Sequence, residues 1–489
     1  MTEQIAQERR ATPEVRAYAA LTGIVLLLLM TFGVLMRFAQ GEWLVLEVSR
    51  FYELMTAHGI GMVSIVTLGG MAVMWHFLGQ YVTLRRGAAI TNLALFLAGV
   101  AVVLWSIFPG GFAAGWTFLY PLPSHGMGLW TTGAAAGYLI GVLLVGVGML
   151  VFYLEAARAI RARYGSFATA LGWKMLRSGE RKDAPPPAVI ASTVICIANI
   201  VGVLAGAVIL VMMLINLYQP QMQVSPLLAK NLIYMFGHIV VNVAIYMTVI
   251  AVYEILPRYT GRPWGVYRSF IVAWNATLLM VLFVYPHHLL MDYVMPVWML
   301  VMGQVLSYAS SFPVLAVTLV GTLANIHRAR MRWDLSAGLL VLSVFGWSAG
   351  IMPAVLDGTV AVNVFMHNTL WVPGHFHFYL LVGCVAMFLG FFNWLANGQR
   401  QASGGLLQSL LFWLYALAAA GFALMFLYSG QAGVPRRFAV HMPEWLGYDR
   451  LAAVFAALVL AATLLIVLPA LARLAGRGAR PAGEAAAPS

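Results

Sequence analysis

Residues 369–396 read TLWVPGHFHFYLLVGCVAMFLGFFNWLA. None of them is Asp, Glu, Lys or Arg, and about 20 apolar residues in a helix suffice to cross the hydrocarbon layer of a bilayer. The run therefore reads as a membrane span. Its two histidines, His375 and His377, are polar groups at membrane depth, where such groups are costly and mark function. The whole chain has the same character. Of 489 residues, 62% are hydrophobic and 9% charged, and the mean hydropathy is +0.87. An ordinary soluble domain carries about 25% charged residues. So few charges cannot coat a water-soluble globule of this length, which excludes soluble folds, disordered chains and nucleic-acid binders.

Working outward from that stretch, the same reading predicts an all-α membrane protein. Its twelve spans lie near 18–37, 54–82, 90–109, 130–155, 188–217, 228–256, 267–289, 297–326, 336–356, 369–396, 405–429 and 450–472. Twelve spans put both termini on one side. Of the 28 Lys and Arg residues, 22 fall on that side and 6 on the other. Cytoplasmic loops carry the excess of positive charge, so both termini are expected in the cytoplasm of a cell whose inner membrane holds the chain. Residues 1–17 then form a cytoplasmic N-terminus, 18–472 a single twelve-helix domain, and 473–489 a disordered cytoplasmic tail rich in Ala, Gly and Pro. The basic loop 156–187 ends in Pro185-Pro186-Pro187 and reads as a surface linker lying against anionic headgroups. Arg9, Arg10 and Arg16 alternate with Glu3, Glu8 and Glu14 ahead of a full-length span, which does not fit a cleavable signal. Cys196 and Cys384 lie inside apolar runs and imply no disulfide framework.

The histidines collect at one depth. His58 opens span two from the outer side and His238 lies about three turns into span six. His287 and His288 close span seven at its outer end, and His375 and His377 sit about two turns into span ten. Six of the eleven histidines thus converge on the outer third of the membrane. His375 and His377 point about 200° apart around a helix, so they cannot ligate one ion together; two planar cofactors flanking the helix would each take one, and haem iron accepts axial histidine. His287 and His288 follow Pro286, where a helix bends or breaks, and a broken end lets adjacent side chains face one centre. With His238 they make a three-imidazole site that suits copper and leaves a coordination position open. His58 is left as a partner for one of the haems. His76 and His327, at the inner side, are expected to snorkel or lie at the surface; His125, His367 and His441 fall in outer loops.

These residues carry a family resemblance. Trp371-Val372-Pro373-Gly374-His375-Phe376-His377, preceded by His367-Asn368-Thr369, resembles span ten of subunit I of the haem-copper oxidase superfamily. Gly237-His238 and Pro286-His287-His288 match that family's copper-ligand positions, and Val434-Pro435-Arg436-Arg437 looks like its paired arginines for haem propionates. Tyr120-Pro121-Leu122 and the span-ten run look most like the B-type members. The resemblance implies that His58 and His377 ligate a low-spin haem, expected to be of b type, that His375 ligates a high-spin haem, and that His238, His287 and His288 bind one copper. Arg436, Arg437 and His367 are then expected at the propionates. Electrons would pass from the low-spin haem to the binuclear centre, where a gas molecule is reduced.

The departures point to the reaction. A- and B-type oxidases place a cross-linked tyrosine four residues after the span-six histidine; here that residue is Asn242. C-type oxidases take the tyrosine from span seven; here that residue is Val281. An amide cannot supply the electron and proton that a phenol supplies, but it donates and accepts hydrogen bonds. Reduction of two NO to N₂O and water needs two electrons, whereas O₂ cleavage needs four. The sequence therefore looks like a nitric oxide reductase on an oxidase frame, with Asn242 orienting the substrate. Cytochrome-c-type reductases use iron with nearby glutamates; Glu254 lies at the opposite end of span six, so copper is expected rather than iron. The rival is a terminal oxidase reducing O₂, with Tyr234 or Tyr285 as its phenol. A haem-bearing gas sensor would not need all six ligands. A proton route along Ser311, Thr318 and Thr322 of span eight, or along Tyr246 and Thr248 towards Glu254, is expected to resemble the B-type uptake channel. Asn363 stands where the B-type family has an aspartate, which speaks against a proton-loading site near the propionates. With no Cys-x-x-Cys-His motif and no cupredoxin segment, the expected electron-entry partner is a membrane-anchored cupredoxin or a cytochrome c.

Overall fold

Inside a bilayer every backbone N–H and C=O must be satisfied within the chain, and a helix does this locally. In a computed structural model the chain does so with twelve helices long and apolar enough to cross a membrane. The structure describes residues 10–478 apart from Tyr293 and Ser311. The helices are α1 Pro13–Gln40, α2 Val48–Leu78, α3 Arg86–Ile107, α4 Thr132–Tyr164, α5 Pro187–Tyr218 and α6 Pro226–Thr260, followed by α7 Arg268–Leu289, α8 Val297–Ile326, α9 Leu335–Asp357, α10 Trp371–Ala396, α11 Leu406–Gln431 and α12 Pro443–Gly476. Their starts reflect local chemistry. Pro13, Pro187 and Pro226 occupy the first turn, where a missing N–H does no harm. Thr131, Ser225 and Asp334 cap α4, α6 and α9 by accepting from the backbone N–H three residues on.

Two boundaries differ from the sequence reading. Helix begins at Pro13 and continues to Gly478, so residues 13–17 and 473–478 belong to the bundle helices rather than to tails. Residues 1–9 and 479–489, including the expected disordered end, lie outside the described residues. Nor is 156–187 a loose linker. α4 runs on to Tyr164, and the chain beyond it folds into short turns at Phe167–Ala170, Trp173–Ser178 and Arg181–Asp183. These turns dock on the bundle because Leu171 and Met175 are buried and Trp173 Nε1 donates to Asn275 Oδ1 of α7 at 2.8 Å.

Helix association in lipid relies on close packing rather than on expulsion of water. At Gly99 of α3, a Cβ would come 2.5 Å from the carbonyl oxygen of Gly141 on α4, so the two backbones touch. A Cβ on Gly430, at the end of α11, would fall 2.0 Å from the backbone nitrogen of Trp371, and this contact fixes where α10 enters the bundle. α6 and α10 are the most enclosed helices. Three spans are interrupted. α7 gives way to a 3₁₀ turn at Tyr285–Leu289 around Pro286, α8 is divided into Val297–Ser310 and Pro313–Ile326, and α10 contains a π-helical stretch, Phe378–Val385, directly after His377. The carbonyl of Leu381 in that stretch accepts the Tyr415 hydroxyl of α11 at 2.7 Å.

Candidate metal centre

The interruption of α7 builds the centre. Pro286 has no N–H to continue the helix, and the 3₁₀ turn that replaces it presents His287 and His288 side by side, ring centroids 4.2 Å apart and nearly perpendicular. His238 of α6 meets both. Its Nδ1 lies 3.1 Å from His287 Nε2 and 3.1 Å from His288 Nε2. Three nitrogens each about 2 Å from one ion lie roughly 3–3.5 Å apart, so the donor set has the size a first-row metal ion needs. His287 Nδ1 is 3.0 Å from Ser307 Oγ of α8, which accepts its hydrogen when Nε2 faces the ion. Among the described residues no carboxylate joins the cluster.

Asn242, one turn below His238, lies against the same ring. Its amide nitrogen is 3.0 Å from the His238 carbonyl oxygen and 3.0 Å from Nε2. Val281, on α7, is buried. Of the two candidate phenols, Tyr285 donates to Asn231 Oδ1 at 2.9 Å, away from the imidazoles. Tyr234 stacks its ring on His288 at 5.5 Å. Among the described residues no tyrosine hydroxyl is hydrogen-bonded to His238, His287 or His288.

The other three histidines lie as two flanking sites on either side of α10. His58 Nδ1 is 2.7 Å from the Leu29 carbonyl oxygen and His377 Nδ1 is 2.6 Å from that of Pro373. Each ring thus donates through Nδ1 and keeps Nε2 without a protein hydrogen bond, the tautomer an axial haem ligand requires. His377 stacks on Phe426 at 4.7 Å, and Arg37 lies over the same Phe426 at 4.9 Å. His375 points the other way, with its Nδ1 buried, without a hydrogen-bond partner, and 3.6 Å from Asp357 Oδ2. The chemistry of these donors fits two haems flanking one helix. Above them, the loop after α11 is pinned to the start of α10: Arg436 N donates to the Asn368 carbonyl at 2.8 Å, and Leu370 N to that of Val434 at 2.9 Å. Arg437 Nη2 donates to Thr117 Oγ1 at 2.6 Å. Burial, followed by the charge of Arg437, lowers the pKa of Arg436, and burial together with Arg436 keeps His367 below its ordinary range. Arg436, Arg437 and His367 are thus gathered at the outer ends of α10 and α11.

Some expectations are corrected. His76 does not snorkel: it is 4% exposed, its Nε2 is 3.2 Å from the Gln399 amide, and its ring packs on Phe391 and Trp394. The chain after α10 folds back over it, which no span boundary announces. His441 lies in a loop but is buried, Nδ1 2.7 Å from Asp449 Oδ2, while Asp449 Oδ1 lies 3.7 Å from Arg37. Among the described residues, the hydroxyl groups expected along a proton route are not hydrogen-bonded to one another. Thr248 Oγ1 bonds its own helix at Ala244 O, 3.1 Å, Thr322 Oγ1 has no partner, and Ser311 lies outside the described residues. Thr318 bonds Tyr253 at 2.6 Å, and Glu254 accepts from Tyr81 at 3.1 Å; neither tyrosine was singled out in the sequence. Asp357 was also missed, although an acid at the end of α9, at the depth of the histidines, was a visible signal.

The family model for Cytochrome C and Quinol oxidase polypeptide I matches residues 14–468. Cytochrome c oxidase subunit 1 of Thermostichus vulcanus is 24% identical over 365 residues, covering 71% of this chain and 60% of its own length. Its counterpart in Halobacterium salinarum, named cytochrome c oxidase polypeptide 1, is 23% identical over 426 residues, with coverage of 85% and 70%. A probable quinol oxidase subunit 1 of Staphylococcus haemolyticus is 22% identical over 436 residues, covering 82% of this chain and 60% of its own. Among solved structures, a cryo-EM structure of a heme-copper terminal oxidase dimer superposes with a TM-score of 0.73 at 19% identity, covering 96% of this chain and 84% of that one.

Proposed function

The chain belongs to the cytochrome c and quinol oxidase polypeptide I family, and we propose that it is the catalytic subunit of a membrane nitric oxide reductase. The observation that carries this reading is Asn242, whose amide lies 3.0 Å from the His238 ring, in a cluster where, among the described residues, no phenol is bonded to an imidazole. In this reading His58 and His377 hold a low-spin b-type haem, His375 holds the high-spin haem, and His238, His287 and His288 hold copper. Arg436, Arg437 and His367 take the propionates. When bound, these groups supply the two electrons of the reaction 2 NO + 2 e⁻ + 2 H⁺ → N₂O + H₂O. The protein's own residues do the rest. With His238 Nδ1 turned to the ion, Nε2 carries a hydrogen, and the Asn242 side chain turns its oxygen to accept it, giving up its bond to the His238 carbonyl. The amide NH₂ is then free to donate to a nitric oxide oxygen. The apolar walls of α6 and α7 keep water from the coupled nitrogens.

Orientation is set by the charge bias: the termini face the cytoplasm of the inner membrane, and the electron-entry partner, a cupredoxin-like or cytochrome c subunit, docks on the opposite face. A second reading, a terminal oxidase reducing O₂ to water, is favoured by Tyr234 stacked on His288 and by the names of the relatives. The two readings separate in one preparation. The purified complex, fed by one artificial electron donor, is expected to clear NO with stoichiometric N₂O and to consume O₂ weakly. Fast O₂ uptake with little N₂O sinks the reductase reading. Asn242→Tyr is expected to lose NO turnover; a variant that keeps it makes Asn242 a helix-packing residue only.

A further inference from the structure

His375 is the one inferred iron ligand whose back nitrogen is not held by a backbone carbonyl. His58 and His377 both rest Nδ1 on a main-chain oxygen. His375 Nδ1 instead faces a carboxylate, Asp357 Oδ2 at 3.6 Å, with the two side chains only 14% and 15% exposed. The carboxylate is not free to leave. The Asn363 amide donates both to the Asp357 carbonyl oxygen at 2.6 Å and to its Oδ1 at 3.0 Å, which holds the head group so that Oδ2 is the oxygen aimed at the ring. Nδ1 has no other partner although it is buried, and a buried N–H left unmet is costly. The separation is a few tenths of an ångström beyond a formed hydrogen bond, a gap that a small turn of the imidazole closes. Asn363, which at the sequence level only marked a missing acid, thus acquires a part: it orients the acid that is present six residues earlier.

We propose that Asp357 is a positioning residue for His375, its carboxylate accepting the Nδ1 hydrogen and making this imidazole a more strongly donating axial ligand than either histidine of the low-spin pair. The proposal rests on the assignment of His375 to the high-spin iron in the proposed function. An imidazole bonded to a carboxylate is part-way to imidazolate; it binds iron more tightly, favours the oxidised metal, and keeps its ring plane fixed. No covalent or proton-transfer step is involved.

The test is resonance Raman spectroscopy of the reduced, full complex, read at the iron–histidine stretching band of the haem that His375 would hold, beside its midpoint potential. In Asp357→Asn the band is expected to move to lower frequency and the potential to rise, with turnover falling about 10-fold or more. Asp357→Glu is expected to restore part of the band position. Should Asp357→Asn not assemble, Asn363→Ala leaves the acid in place but loosens it, and is expected to broaden the band and shift it the same way. A band present in the wild type and unmoved in these variants overturns the role of Asp357 while leaving the proposed function standing. Absence of any such band in the wild type overturns the assignment of His375, and the role of Asp357 with it.

Discussion

Replacing Ser307 by alanine tests whether the three imidazoles are a copper site tuned from behind. Ser307 Oγ lies 3.0 Å from His287 Nδ1, and His287 Nε2 is the atom turned to His238. Copper on Nε2 requires the hydrogen on Nδ1, so the hydroxyl is the acceptor that fixes tautomer and ring plane. Without it, a donor beside a metal ligand is left unmet, at about 1–3 kcal/mol. Loss of such supporting bonds typically weakens metal binding about 10- to 100-fold, which converts to about 1.4–2.7 kcal/mol; the two estimates overlap. The ion-free protein suffers less, because an unligated ring is free to turn, so most of the penalty falls on the loaded state. The assay is competition for cuprous ion between the apo-complex and a chromophoric chelator, with haem absorbance reporting that the fold is intact. Tyr308→Phe is the control: it removes the 2.6 Å bond to Thr359 next door and is expected to leave copper affinity alone. Unchanged copper affinity in Ser307→Ala, with normal haem spectra, refutes the idea that this hydroxyl orders His287 for the metal.

The same geometry supports further expectations. Lys230 and Asp292 form an ion pair that is only 15% and 14% exposed and ties α6 to the segment after His288. Lys230→Met is expected to lower stability by about 2–3 kcal/mol, somewhat less than for a fully dry pair, while Lys230→Met with Asp292→Leu comes close to neutral; thermal unfolding in detergent decides, and equal losses in both refute the pairing. Gly430→Ala drives a methyl to within 2.0 Å of Trp371 N. It is expected to cost about 3 kcal/mol or more, the upper end for overpacking, and to deplete the low-spin haem absorbance, because α10 must shift. His441→Leu removes the 2.7 Å partner of Asp449 and leaves it, among the described residues, Arg37 at 3.7 Å; it is expected to cost about 1–3 kcal/mol in a thermal melt followed at the haem band.

The spans were legible because hydropathy is a local property and twelve long apolar runs leave few alternatives. The three-histidine cluster was legible because Pro286 announces the break that brings adjacent histidines to one point. Asp357 was not, because its meaning depends on how α9 ends against α10, and the sequence held attention on the missing acid at 363 rather than on the one at 357. His76 and the 165–186 connection were misjudged for a related reason. Both sit at an end of the bundle, where the charge pattern reports proximity to water, while burial is decided by which chain folds over them: Gln399 in one case, the contact of Trp173 with Asn275 in the other.

The π-helical stretch Phe378–Val385 separates His375 and His377 from Phe388, Phe391 and Trp394 on the same span. One added residue in a helix turns everything beyond it by about 100°, and π segments are such insertions. α10 thus behaves as two rods of different phase on one axis: one rod presents its two histidines to opposite sides, as the proposed function needs, and the other aims aromatic rings at α2. Deleting one residue between them would bring the rods into step, and the chain could then satisfy its cofactors or its packing, but not both.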